Sequence, residues 1–481
     1  MLVMAQNRCV ASPVMHTPRR PATRWATALF LALSVSAAWA AGSAGPGASA
    51  TEAATLYAGA TVIDGTGAAP RVNQDILVRA ERIVAVGPHG SLEGTHDASF
   101  HTVDLHGSYV IPGLIDSHVH LATPPDAKRA QAILRRNLYA GVTAVRDMAD
   151  DLRSVAELAR EARAGEIPAP DIYYAALMAG PTFFLDPRVS AASYGVTPGK
   201  SPWMQSIDEN TDLREAVTLA RGTSATALKV YADLPPDLVA KITAEAHRQH
   251  IMVWAHSAVF PTRPADVINA GVDVVSHACY LAYQLEPVML ASYEDHTPFH
   301  DALLAPSGDD PVIAGLYRDM LKHGTILDAT GSLFVRYDAE RKTHPERKPL
   351  RCTGPTTTRL VRQAWKAGVP ISTGTDSDGG LDQVWPSVYD EIRFLVHDVG
   401  MPPIEAIHSA TLVGAQAAGQ AKDMGSIEAG KLANFAVLSA DPAKDIGNLQ
   451  SIRMTVKRGR VYPRGGYPPV TKEEMDHDDE D

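Results

Sequence analysis

Eight short β-rich runs separated by amphipathic helical runs constrain this chain more than any other feature of its sequence. Between about residues 110 and 400 the strand candidates are "YVIPGLIDSHVHL", "VTAVRDM", "DIYYAALMAG", "TALKVYAD", "IMVWAHSAV", "DVVSHACYL", "TILDATGSL" and "VPISTGTDS". Helix-like stretches such as "DLRSVAELAREARAG" and "TTTRLVRQAWKAG" lie between them, several ending in the glycine expected at a helix C-terminus. Eight alternations predict an α/β fold, a (β/α)8 TIM barrel over residues 113–421. A doubly wound open sheet fits the alternation as well, because alternation alone does not show closure.

Two strand-rich pieces flank this region, residues 55–112 and 422–467. Both alternate apolar and polar residues between Gly-rich turns, as hairpins do, and are expected to pair into one small β-sandwich formed from both chain ends. Residues 468–481, which end in "TKEEMDHDDED", read as a disordered acidic tail.

The first 40 residues differ in kind. Arg19, Arg20 and Arg24 precede the apolar run "ATALFLALSVSAAWA", which closes on Ala38-Trp39-Ala40. This pattern predicts a secretory signal peptide over residues 1–40, cleaved near Ala40, with 41–54 as a flexible linker. The mature protein is then expected to be secreted or periplasmic, with no membrane partner after cleavage. It retains two cysteines, Cys279 and Cys352, too few for a disulfide framework, although one bridge is left open. A net charge of −11 with no basic block outside the leader argues against a nucleic-acid partner. A small-molecule substrate is expected, and the sequence leaves a homo-oligomer open.

Chemistry-bearing residues gather at the carboxyl ends of the strand candidates. His118 and His120 close strand 1, and the period of two puts both imidazoles on one face. Lys229 lies in strand 4, His256 closes strand 5, His277 closes strand 6 and Asp376 closes strand 8. Any one of them has an ordinary structural explanation. Six together at the end of a barrel where active sites are built do not.

On these residues, and on the phrases "VIPGLIDSHVHL", "GTDS" and "GSIEAGKLANFAVL", the chain resembles the amidohydrolase superfamily, in its two-metal, imidazolonepropionase-like and prolidase-like branch. The resemblance implies that His118, His120 and Asp376 hold one divalent metal ion and His256 and His277 a second. Lys229, carboxylated by CO2, would bridge them. Imidazole and carboxylate ligands suit Zn2+, with Mn2+, Fe2+ and Co2+ not separated by ligand type. It further implies cleavage of an amide or peptide carbon–nitrogen bond by a hydroxide bridging the metals, with Asp376 as catalytic proton shuttle, on dipeptides or N-acyl amino acids. A lactonase, phosphotriesterase or ring aminohydrolase would use the same residues, and a non-catalytic binding protein would not need to keep them. Tyr231, two residues beyond Lys229 on the same strand face, is a candidate substrate contact, together with Arg336 or Arg341 from the long loop after strand 7.

Overall fold

The computed structural model describes residues 54–92, 100–307, 309–347, 349–377, 379–381 and 383–475. The expected signal peptide and all of the expected linker but its last residue lie outside the described residues.

Eight parallel strands follow one another around a ring. They are strand 1 (Leu114–Val119), strand 2 (Val142–Asp147), strand 3 (Asp171–Ala179), strand 4 (Ala227–Val230), strand 5 (Met252–His256), strand 6 (Val274–Ser276), strand 7 (Ile326–Asp328) and strand 8 (Ile371–Ser372). Each pairs in parallel with the next. The ring closes from strand 8 to strand 1 through backbone bonds from Ser117 N to Thr373 O (2.7 Å) and from Asp376 N to His118 O (2.9 Å). These bonds decide for the barrel over an open sheet. Helices between the strands cover it, as one example shows: in Leu152–Ala164 the buried residues Leu152, Val155, Leu158 and Ala162 form one apolar stripe, and the Asp151 side chain caps the helix from its N-terminal side.

The chain ends build a separate mixed sheet. Its strands are Ala54–Val62, Arg71–Arg79, Arg82–Pro88, Phe100–Asp104 and Tyr109–Pro112 from the N-terminal side, and Phe435–Leu438, Ile452–Lys457 and Arg460–Pro463 from the C-terminal side. The hydrogen bonding is continuous across all eight strands, joined where Tyr109–Pro112 pairs antiparallel with Phe435–Leu438. Tyr57, Ile76, Val110, Phe435 and Val456 share one apolar cluster on it.

The run "YVIPGLIDSHVHL" is divided between the two sheets. Tyr109–Pro112 belongs to the terminal sheet and Leu114–Val119 to the barrel, with Gly113 between them. A side chain at Gly113 would place its Cβ 2.0 Å from Thr143 Oγ1, so only glycine lets the chain cross so close to strand 2. Apolar periodicity does not register a change of sheet when both halves are buried.

Two further features differ from the sequence reading or extend it. Cys279 and Cys352 form a disulfide that ties the segment after strand 6 to the segment before strand 8. At the other end, Lys472–Met475 forms a helical turn against the helix Ala127–Tyr139, where Arg135 makes two hydrogen bonds to Glu474 (3.0 and 2.9 Å). Composition alone marked this stretch as disordered, and a specific partner for Glu474 gives it a place. Residues 476–481 lie outside the described residues.

Candidate active site

The carboxyl ends of the barrel strands bring all six predicted ligands to one floor. His118 is the fifth residue of strand 1, and His120 follows its end. His256 ends strand 5, and His277 follows strand 6 with φ of +71°. Asp376 sits four residues past the two-residue strand 8 with φ of +49°. Left-handed backbone at non-glycine residues persists where surrounding structure enforces it, and both outliers here aim side chains into the same space.

Ligand atoms of His118, His120 and Asp376 all lie within 4.8 Å of one another. Asp376 Oδ1 is 3.7 Å from His118 Nε2 and 3.4 Å from His120 Nε2. The ring of His277 is 4.9 Å from that of His118 and 4.8 Å from that of His256, centroid to centroid, so the histidines form one contiguous cluster. Lys229 is fully buried, and neither its Nζ nor His256 Nδ1 has a hydrogen-bond partner.

A second set of side chains orients this cluster. Asp328 Oδ2 accepts from His118 Nδ1 (2.8 Å) and from Ser276 Oγ (2.9 Å), with Arg146 Nη2 at 3.4 Å. Asp150 Oδ1 meets His120 Nδ1 at 2.7 Å, and Thr330 Oγ1 meets His277 Nδ1 at 2.9 Å. Each bond engages the Nδ1 side of a ring, leaving Nε2 for the cluster. Gly374 lets the backbone pass close to this set: a Cβ there would lie 2.0 Å from Asp328 Oδ1 and 2.7 Å from His118 Cβ.

The electrostatics suit ligands of a cation. Burial pulls His277 down to about 3 and His256 well below its ordinary value, so both are neutral and carry a free lone pair. Burial also pulls the Lys229 amine down to about 7, so near neutral pH much of it is the uncharged form. Burial alone would lower His120, but Asp150, Asp376 and Asp147 outweigh it and raise the group to about 10. That proton affinity measures a negative potential at the ring, which a divalent cation would satisfy equally. Asp376 is held below the usual carboxylate range: burial opposes this, and His118, His120, His277 and Lys229 overcome it. Two unpartnered buried nitrogens, three clustered ligand atoms and this potential fit divalent metal ions.

Above the floor opens a cleft of about 380 Å3, lined by Tyr231, Phe183, Tyr280, Tyr293, Phe334 and Tyr337 among others, with Arg188 at its wall. Tyr231 packs against His256 with the rings tilted by 50° and 4.1 Å between centroids. Arg336 lies elsewhere, lining a neighbouring cleft and donating to Ser377 Oγ (2.9 Å). Arg341 turns its Nη1 to the carbonyl of Arg347. Sequence reasoning passed over Asp328, Asp150, Thr330 and Arg188. Asp328 carried a usable signal, since it ends strand 7 as the other site residues end theirs.

Residues 109–462 match the sequence pattern of the amidohydrolase family. The chain belongs to the amidohydrolase family. It is a metal-dependent hydrolase of that family, acting on carbon–nitrogen bonds. Among curated proteins it is 26% identical to an ochratoxinase of Aspergillus niger, across 86% of this chain and 87% of that one. It is 27% identical to an imidazolonepropionase of Streptomyces avermitilis, across 76% and 80%. Among solved structures, a Xaa-Pro dipeptidase with bound methionine superposes with a TM-score of 0.67 at 21% identity, covering 85% of this chain and all of the other. The A. niger ochratoxinase crystal structure also gives 0.67, at 22% identity, covering 88% and 98%.

Proposed function

We propose that this amidohydrolase cleaves the amide or peptide bond of dipeptides or N-acyl amino acids, with Asp376 moving the proton from attacking water to the leaving nitrogen. The observation that carries the reading is the meeting of Asp376 with His118 and His120 at the bottom of an aromatic-walled cleft. Two divalent cations, Zn2+ by ligand type, would supply Lewis acidity toward the scissile carbonyl and toward water. His118, His120 and Asp376 would hold one, and His256 and His277 the other. Lys229 would bridge both after its neutral amine adds CO2 and releases a proton, giving a carbamate with two oxygen donors. Burial favours this step, because only the uncharged amine reacts.

Asp376 is suited to the proton transfer. Its carboxylate is anionic at neutral pH and sits in hydrogen-bonding range of the space between the histidines. The aromatic walls would take apolar side chains of the substrate and exclude water around the reacting bond. Relatives named as an ochratoxinase and a Xaa-Pro dipeptidase are consistent with a cleft that admits more than one acyl group.

The test is a screen of metal-replete protein over dipeptides, N-acyl amino acids, cyclic amides, lactones and phosphotriesters, with bound metal quantified. Amide turnover that is lost on chelation and regained with added cation is expected. Lys229→Ala should lose metal and activity together, with partial recovery in short carboxylic acids that replace the missing oxygens. Turnover of lactones or phosphotriesters with no amide cleaved would overturn the substrate class.

A further inference from the structure

Aromatic and aliphatic side chains make up most of the cleft wall, and one cation stands among them. Among the described residues lining the cleft, Arg188 is the only lysine or arginine. It stands in the short helix Pro187–Ala192, in the loop after strand 3, with its guanidinium 5.6 Å from the centre of the Tyr293 ring. Tyr293 in turn lies 5.4 Å from Tyr231, and Tyr231 borders His256 on the floor.

Asp186 fixes the arginine in this place. Its carboxylate accepts from Arg188 Nε at 3.1 Å and also from the Arg188 backbone N–H at 2.9 Å. Asp186 is buried, whereas the arginine side chain is 58% exposed toward the cleft and solvent. A guanidinium oriented along one edge keeps donors on another, and a phenol hydroxyl carries one O–H donor.

We infer that Arg188, with the Tyr293 and Tyr231 hydroxyls, forms the subsite that binds the free carboxylate of the substrate, so that the enzyme acts on substrates ending in a free carboxylate and discriminates against their amidated forms. This rests on the reading of the site as an amide hydrolase and adds the substrate's polarity to it. An N-acyl amino acid or dipeptide carries its carboxylate two bonds from the amide nitrogen. The line from Arg188 through Tyr293 and Tyr231 to His256 places the anion at the wall and the scissile carbonyl over the floor. The aromatic surfaces between them suit an apolar or aromatic side chain. Arg188 and Tyr293 are specificity residues here, reached by loops that meet only in the folded barrel.

The experiment measures binding as well as turnover. Calorimetric titration of the metal-loaded protein with L-phenylalanine and with L-phenylalaninamide reports the carboxylate preference without requiring a reaction. Hydrolysis of N-acetyl-L-phenylalanine and its C-terminal amide reports it in kcat/KM. The wild type should favour the acid in both. Arg188→Met should reduce binding and kcat/KM for the acid by about 10- to 100-fold, through KM, and those for the amide by much less, the scale of one lost charge-assisted hydrogen bond. Tyr293→Phe, which keeps the ring, should show the same asymmetry more weakly. Equal losses for acid and amide, or a wild type without preference, would overturn the subsite. So would a preference that survives Arg188→Met and disappears in Arg336→Met. Absence of any amide hydrolysis with the binding preference intact would instead count against the reaction and leave the subsite standing.

Discussion

At the scale of single residues, the site depends on charges placed where water cannot screen them. Asp376 is anionic because four basic groups overcome its burial, and among the described residues it is the one carboxylate that faces both His118 and His120. Asp376→Asn keeps the shape and one oxygen donor but removes the proton shuttle proposed above. kcat should fall by about 10²- to 10⁴-fold with KM little changed, measured by steady-state kinetics on whichever amide the screen returns. Asp328 acts one step further away, through His118 Nδ1. Asp328→Ala leaves that ring unoriented, so metal affinity should drop by roughly 10- to 100-fold, read by competition with a chromogenic chelator.

Among elements, the helix Gly331–Thr343 shows how a segment outside the metal cluster sets its geometry. Its first turn is pinned by the buried carboxylate of Glu391, which accepts from Gly331 N (3.0 Å) and Ser332 N (2.7 Å). The preceding Thr330, held at φ of +47°, reaches His277. Burial raises Glu391 from 4.5 to about 7. Because the folded state binds this proton more tightly than the unfolded chain, its contribution to stability is complete below pH 4.5 and is lost as pH rises through 7. The loss is on the order of 3 kcal/mol. Glu391→Gln should therefore show a smaller fall in melting temperature between pH 5 and pH 8 than the wild type, in matched thermal melts. An equal fall in both proteins would remove Glu391 from the pH dependence.

Over the whole molecule, the barrel and the terminal sheet are locked together by buried charge. Asp171, which opens strand 3, pairs with Lys457 Nζ (2.9 Å) and Arg458 Nε (3.0 Å) at the end of the sheet strand Ile452–Lys457. Arg458 also reaches Glu81 from the N-terminal half of the sheet (2.8 Å). Asp171, Lys457 and Arg458 are all buried. Asp171→Ala leaves the buried Lys457 ammonium without its carboxylate and Arg458 with the half-exposed Glu81 alone, and breaking a buried pair in this way costs about 3 to 5 kcal/mol. Chemical denaturation of the variant should show that loss, with kcat of the folded fraction preserved because the change lies at the opposite end of strand 3 from the floor.

What the sequence determined by itself was local and periodic. Side chains two apart on a strand share a face, so His118 and His120 were bound to meet. Polar residues at successive strand ends were bound to face the same end of any barrel those strands formed. The eight alternations and the strand-rich termini were legible for the same reason, since each follows from which residues a helix or strand can bury. The tertiary structure decided what depends on packing between distant segments. It divided one apolar run between two sheets at Gly113, where Thr143 leaves no room for a side chain. It brought Asp328 and Asp150 to the outer faces of the histidines, and joined Cys279 to Cys352 across 73 residues. It also put Arg188, and neither Arg336 nor Arg341, on the cleft wall. A loop's residues have no period that tells where they point; their place is fixed by the neighbours they meet once the barrel has closed.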